Sequence, residues 1–96
     1  MRVRWSARAE SDLYWIGDYI GRDDPNVAER WVEGIRERAH RAGTFPRSGR
    51  VVPEFEHQSI REVFVGNYRI VYLVETRGLL VLAVREGHEV LDDLEP

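Results

Sequence analysis

The chain has 96 residues, no cysteine and a formal net charge of −3, which indicates one small domain over residues 1–96 without disulfide bonds or cysteine-bound metals. The net charge gives no sign of nucleic-acid binding, and no stretch approaches the roughly 18 apolar residues of a membrane span. The N-terminus lacks an apolar run of signal-peptide length, so we expect a cytoplasmic protein. All fourteen basic residues are arginines, which excludes a lysine as a base or phosphate ligand.

The N-terminal half predicts one short strand followed by two helices. Residues 1–5 alternate apolar and basic side chains, as in a half-buried strand. Ser6 is a typical N-cap, and helical spacing of apolar residues follows it as far as Gly21. A second helix is predicted to begin at Asp24, with a proline at its first position, and to end at Gly43. The two apolar stripes comprise Ala9, Leu13, Ile16 and Ile20 in the first helix and Ala28, Trp31, Ile35, Ala39 and Ala42 in the second.

The C-terminal half changes to the two-residue period of β-strands, after a loop at residues 44–50 that contains proline and glycine. Gly66 and Asn67 have the chemistry of a tight hairpin turn. The last strand is apolar on both faces and should be covered on both. The predicted strands cover residues 51–52, 60–65, 68–74 and 79–84.

The acidic tail, residues 86–96, is the least regular part of the chain. Val90, Leu91 and Leu94 follow helix-like spacing there, which indicates a short helix or a frayed end.

This order of elements predicts a two-layer α+β fold of strand, helix, helix and then three or four strands, β-α-α-β-β-β(-β), in a mainly antiparallel sheet. Amphipathic helices cannot bury their apolar stripes alone, so both must pack on one face of the sheet. The first strand should lie beside a late strand, because five residues are too few for an independent strand. We expect the other face of the sheet to be exposed.

The hairpin carries two arginines whose placement bears on function. If Arg61 and Arg69 converge across adjacent strands on the open face, their guanidinium groups form a site for a phosphate or carboxylate. The alternative is that they form solvated ion pairs with Glu54, Glu62 or Glu75.

A series of short motifs runs in order through nearly the whole chain, from Val3 to about Leu91. They are Trp5-Ser6, Ala9, Asp12-Leu13, Ile16, Tyr19-Ile20, Asp24-Pro25, Ala28, Pro46, Gly49-Arg50, Val52-Pro53-Glu54, Arg61-Glu62 and Tyr68-Arg69-Ile70-Val71-Tyr72. No single motif is specific, but together they resemble toxins of the RelE/ParE superfamily, the stable halves of bacterial type II toxin–antitoxin pairs. The fold that the resemblance implies is the one derived above.

The superfamily divides by target. RelE-like members cut mRNA in the ribosomal A site, whereas ParE-like members poison DNA gyrase. Arg69 matches the arginine of a Tyr-Arg motif that contacts the scissile phosphate in the RNases, and Arg61 lies near a position that is often basic in them. Glu54 is either a general base or part of a structural loop, and His88 is either a substitute acid or base or an exposed residue without a catalytic role. An RNase would therefore use Arg61, Arg69, His88 and Glu54.

The RNase pattern is incomplete in this chain. RelE relies on lysines, which are absent here, and arginine is too basic to act as an ordinary base. Glu86 stands where a histidine is common and Glu89 where an arginine is common, although Arg85 fits. The resemblance therefore favours a ParE-like toxin that poisons DNA gyrase. The alternatives are a ribosome-dependent mRNA endonuclease and an inactive member that only binds an antitoxin.

The resemblance also implies partners. The residues predicted to contact the target are Arg50, Arg61, Arg69, Tyr72 and Arg85. A cognate antitoxin would fold onto the toxin as a helix or strand, in a complex that can be of higher order, and would cover Trp15, Tyr19, Trp31 and Arg69. Three histidines without supporting carboxylates predict no metal site, and nothing in the sequence implies a cofactor.

Overall fold

Five strands form one sheet, and two helices pack on one of its faces. The structure is a computed structural model, and it describes residues 2–89, 91 and 94. The predicted α+β architecture and order of elements are confirmed. The elements are β1 (Arg2–Trp5), α1 (Ala7–Gly21), α2 (Pro25–Ala42), a 3₁₀ turn (Pro46–Ser48), β2 (Arg50–Val51), β3 (Ile60–Val65), β4 (Tyr68–Glu75) and β5 (Gly78–Glu86). In the described part of the chain, no helix has the length and apolar character to cross a membrane.

Both helices begin at the predicted caps. The Ser6 hydroxyl accepts a hydrogen bond from the Ala9 N–H at 3.0 Å, and the Asp24 carboxylate accepts one from the Asn26 N–H at 3.0 Å. These bonds satisfy N–H groups that have no partner within the first turn of a helix. The second helix ends where Gly43 donates its N–H back to the helix.

The sheet has the order β1-β5-β4-β3-β2. Strands β2 to β5 are antiparallel, while β1 is parallel to β5 at one edge, beside a late strand as predicted. The two-residue turn at 66–67 sets the hairpin register by placing Val65 opposite Tyr68. A β-bulge interrupts the pairing of β4 with β5 at Val71 and Tyr72.

Each face of the sheet has its own apolar core, which contradicts the expectation of an exposed second face. On the helix side, Leu13 and Ile35 pack with Ile70, Tyr72 and other sheet residues. On the opposite side, a second cluster includes two residues of the tail. Its buried members are Val52, Ile60, Val71, Ala83, Leu91 and Leu94.

The tail contributes to the second core through two of its leucines. Leu91 is fully buried and Leu94 is 8% exposed. Residues 86–89, 91 and 94 of the tail are described and none of them is helical, which contradicts the predicted helix there; Val90 lies outside the described residues.

Candidate functional site

The two hairpin arginines lie on opposite faces of the sheet, so the predicted convergence of their side chains is wrong. Arg61 is opposite Tyr72, whose face packs against the helices, whereas Arg69 is opposite Phe64 on the other face. Residues that pair directly across two strands share a face, and neighbours along a strand alternate. The register therefore separates the two guanidinium groups.

Arg69 is the centre of a buried ion-pair network, with only 4% of the residue exposed. Its Nε donates to the Glu62 carboxylate at 2.7 Å. Its two terminal nitrogens donate to both oxygens of Glu54, at 2.8 and 2.9 Å. Glu62 also forms an ion pair with Arg50, and its side chain is fully buried. The Arg69 guanidinium is thus occupied by two carboxylates and does not face solvent, which excludes direct phosphate contact in this conformation.

The network shifts the ionisation of its members. Hydrogen bonding to Glu54 is the main reason that the pKa of Arg69 is raised, and desolvation opposes it. The same hydrogen bond is the main reason that the pKa of Glu54 is lowered. A carboxylate with a lowered pKa is a weak base, so this position fits the structural role of Glu54 better than general-base catalysis.

Arg61 and Tyr72 both bind the loop between α2 and β2, and Arg61 also binds the loop between β2 and β3. The Arg61 guanidinium donates to the carbonyl oxygens of Gly49 at 3.1 Å, Arg47 at 3.2 Å and Gln58 at 2.8 Å. The Tyr72 hydroxyl donates to the Pro46 carbonyl at 2.6 Å, and the residue is fully buried. Tyr72 therefore cannot contact a target directly in this conformation, contrary to the prediction.

The remaining predicted catalytic and target-binding residues do not gather around Arg69. The His88 side chain is 79% exposed and lies 3.7 Å from the Glu86 carboxylate. Arg85 is half-buried, and its Nε is 3.4 Å from Asp12. Arg50 is exposed and lies over the Phe64 ring. The described residues therefore show no acid–base pair beside an accessible arginine.

Aromatic side chains on α1 form the largest exposed aromatic cluster in the described chain. Tyr14, Trp15 and Tyr19 are 65%, 59% and 69% exposed, and the first two rings meet edge to face at 5.1 Å. Trp15 and Tyr19 line a groove of about 260 Å³ between α1 and the end of β5, which we call the α1–β5 groove. It is lined by Asp12, Trp15, Ile16, Tyr19, Tyr68, Val84, Arg85, Glu86 and Glu89.

Trp31 differs from the other predicted antitoxin-binding aromatics. It is half-buried, packs edge to face on Tyr68 at 5.5 Å and lies over Gly66. Its main contacts are thus within the fold. Asp12 lines the groove, but no role was predicted for it from the sequence. Its position between Ala9 and Leu13, two residues of a buried apolar stripe, could have indicated a carboxylate with a specific partner.

No group of three or more histidine, cysteine, aspartate or glutamate side chains within residues 2–89, 91 and 94 has the arrangement of a metal site.

The comparisons with known proteins agree with this architecture. The family model described as "ParE toxin of type II toxin-antitoxin system, parDE" matches residues 3–91. This chain belongs to the ParE toxin family. A relative from Sinorhizobium fredii (strain NBRC 101917 / NGR234), described as "Putative toxin Y4kP", is 34% identical over an alignment of 90 residues that covers 92% of this chain and 90% of the relative.

A solved structure described as the chromosomal ParDE TA system from P. aeruginosa shares the fold of this ParE toxin. The TM-score is 0.73 at 21% identity, over 90% of this chain and 95% of the other. The resemblance to the RelE/ParE superfamily, on its ParE side, is therefore confirmed.

The lowered carboxylate pKa values of the ParE toxin predict acid sensitivity. Glu54, Glu10 and Glu75 each have a pKa below the ordinary value of about 4.3, mainly because an arginine donates hydrogen bonds to each carboxylate. The unfolded chain then binds more protons than the folded one near pH 4. The contribution of these carboxylates to the free energy of unfolding should be constant above that pH. It should decrease as the pH falls through their lowered pKa values. Urea unfolding between pH 7 and pH 2 measures this. Glu54→Gln should flatten the acid limb, and parallel curves for the two proteins would contradict it.

Proposed function

We propose that this ParE-type toxin inhibits growth by poisoning DNA gyrase and that a cognate antitoxin neutralises it. The observation that carries the proposal is the burial of Arg69 between Glu54 and Glu62. The arginine that an RNase of this superfamily would use at the phosphate is here a structural residue. Family membership then favours the ParE-type target over the ribosome.

The RNase alternative requires three groups at one place: a base, an acid and a cation beside the phosphate. In this chain Arg61 binds loop carbonyls, Arg69 is buried on the opposite face, and His88 is exposed next to Glu86. Activity at the ribosome would need these groups to rearrange together, so mRNA cleavage is the weaker proposal.

A direct test uses purified, antitoxin-free protein with DNA gyrase, ATP and supercoiled plasmid. A gyrase poison traps the cleaved intermediate, so linear DNA should accumulate after the proteins are denatured. Excess antitoxin should abolish the linear product, and gyrase without toxin gives the background. No linear product from a sample with native circular dichroism would reject gyrase as the target and make ribosome-dependent mRNA cleavage the next assay.

The third possibility, an inactive antitoxin-binding member, is separated by a growth measurement. Expression of the toxin alone should arrest growth if either toxic activity is present. Normal growth with wild-type protein levels, together with tight antitoxin binding, would favour the inactive member.

We further propose that the antitoxin covers the exposed aromatics of α1. Large aromatic side chains are enriched at interface hot spots, and Trp15 and Tyr19 are exposed on one helix beside a groove. Trp31 and Arg69, which the sequence also suggested, are half-buried and buried respectively, so Trp15 and Tyr19 offer more area to a partner.

Trp15→Ala should weaken antitoxin binding at least tenfold, because truncating an aromatic hot spot costs about 2 kcal/mol or more. Isothermal titration calorimetry measures the dissociation constant. Phe45→Ala is a matched control, since Phe45 is 72% exposed and lines a different groove, so its loss should leave the affinity within about twofold. Equal affinities for both variants would place the antitoxin elsewhere.

A further inference from the structure

The strand β5 extends beyond the strand that lies beside it. β1 pairs with β5 only as far as Trp5, which is opposite Val81, whereas β5 continues to Glu86. The outer edge of residues 82–86 therefore has no partner strand in the described part of the chain. Such an edge carries backbone hydrogen-bonding groups that a further strand can use.

Two carboxylates occupy the backbone donors of this edge. The Val84 N–H donates to the Asp12 carboxylate at 3.0 Å, and the Glu86 N–H donates to the Glu89 carboxylate at 3.0 Å. These two N–H groups alternate along the strand and point away from β4, where the next strand of a sheet would lie. The Asp12 and Glu89 carboxylates thus accept the hydrogen bonds that carbonyl oxygens of an adjacent strand would accept.

The α1–β5 groove beside this edge is acidic. Asp12, Glu86 and Glu89 line it together with one arginine, Arg85, which lies 3.4 Å from Asp12. The pKa of Tyr68, which lines the groove, is raised first by burial and next by the charge of Glu86, with smaller contributions from Tyr19 and Glu89. A segment that enters the groove therefore meets a net negative surface.

We propose that an extended segment of the antitoxin adds to the free edge of β5 as a strand in line with β1. Its carbonyl oxygens accept hydrogen bonds from the Val84 and Glu86 N–H groups in place of Asp12 and Glu89. This inference rests on the proposed antitoxin partnership and specifies its geometry. It is β-augmentation, in which main-chain bonds supply affinity and side-chain pockets supply specificity.

The surroundings of the edge define the chemistry of the segment. One apolar side chain fits the aromatic wall formed by Trp15 and Tyr19. A flanking lysine or arginine pairs with the carboxylates that leave the backbone, because a carboxylate without a partner is costly at an interface. A second copy of this chain does not fit, since it would bring Asp12 and Glu86 against the same acidic groups.

Amide hydrogen exchange by NMR tests this geometry in the wild-type toxin, with and without the antitoxin encoded by the adjacent gene. The Val84 and Glu86 amides should exchange at least tenfold more slowly in the complex. The Val3 and Trp5 amides, on the open edge of β1, are the internal control and should change little. Unchanged exchange at Val84 and Glu86 in a saturated complex would overturn the proposed strand addition. A helical antitoxin segment in the groove would overturn it as well. Neither result would contradict the antitoxin partnership itself. Failure of the wild-type toxin to bind the antitoxin would reject both.

A pair of substitutions isolates the backbone donor. Glu86→Pro removes the outward N–H and its ring obstructs an added strand, whereas Glu86→Ala removes the carboxylate and keeps the N–H. The N–H does not belong to the ladder with β4, so both variants should retain the native circular dichroism. The proline variant should bind the antitoxin about five- to tenfold more weakly than the alanine variant, as expected for one lost hydrogen bond. Equal affinities of two folded variants would contradict the proposal.

Discussion

Arg69→Ala should lower the free energy of unfolding by about 3–5 kcal/mol, because the buried Glu62 carboxylate keeps only the exposed Arg50 as a cation and Glu54 loses its ion pair. The side chain of Glu62 is fully buried, and that of Glu54 is 31% exposed. Glu62 therefore cannot recover the hydration that it has in the unfolded chain, whereas Glu54 can recover part of it. Urea unfolding at pH 7 measures the loss, and comparison of the m-values tests whether the denatured state has changed.

Two further variants separate charge burial from simple loss of contacts. The Arg50 side chain is 59% exposed. Arg50→Ala removes this second partner of Glu62 and should cost no more than about 1 kcal/mol. Arg69→Met combined with Glu62→Leu replaces the central pair by apolar groups and should recover part of the loss, although Glu54 then lacks its partner. An Arg69→Ala protein with wild-type stability and no toxicity would instead mark Arg69 as a functional residue.

This result bears on how toxicity data for Arg69 are read. A loss of about 3–5 kcal/mol is a large part of the stability of a small domain, so the variant would be depleted in cells by unfolding and proteolysis. Loss of growth inhibition by Arg69→Ala is therefore not by itself a sign of catalysis. The gyrase assay needs variants that stay folded, such as Trp15→Ala.

The local part of the fold could be predicted from the sequence because its signals are local. The caps at Ser6 and Asp24 and the hairpin turn at Gly66 each depend on a few neighbouring residues. The separation of Arg61 from Arg69 could also have been predicted. A two-residue turn places Val65 opposite Tyr68, and counting back along both strands puts Arg61 opposite Tyr72.

The burial of Arg69 and the covering of the second sheet face could not be predicted in the same way. Both depend on contacts between distant parts of the chain: Glu54 precedes Arg69 by 15 residues and Leu91 lies in an acidic tail. An arginine, two glutamates and two leucines in those positions are equally compatible with an exposed basic surface and a frayed tail. Only the packing decides between them.

Gly78→Ala should cost about 3 kcal/mol or more, because the position tolerates no side chain. Gly78 has φ = 150°, a conformation that is almost confined to glycine. A Cβ atom there would overlap the carbonyl oxygen of Arg2 and lie 2.7 Å from its carbonyl carbon. Both atoms belong to the β1 backbone, which pairs with β5 at this point and cannot move without losing the parallel ladder.

The consequence extends to the proposed antitoxin site. β1 leads directly into the N-cap of α1, and the Ser6 N–H donates to the Val81 carbonyl at 3.0 Å, so displacement of β1 would shift the start of the helix that carries Trp15. Gly34→Ala is the matched control: no atom lies within 4 Å of its added Cβ, and alanine in a helix should stabilise the protein by up to about 1 kcal/mol. Thermal and urea unfolding of both variants measure the contrast. A Gly78→Ala protein as stable as the wild type would mean that β1 is not anchored at Gly78, and that the α1–β5 groove is positioned by the packing of α1 alone.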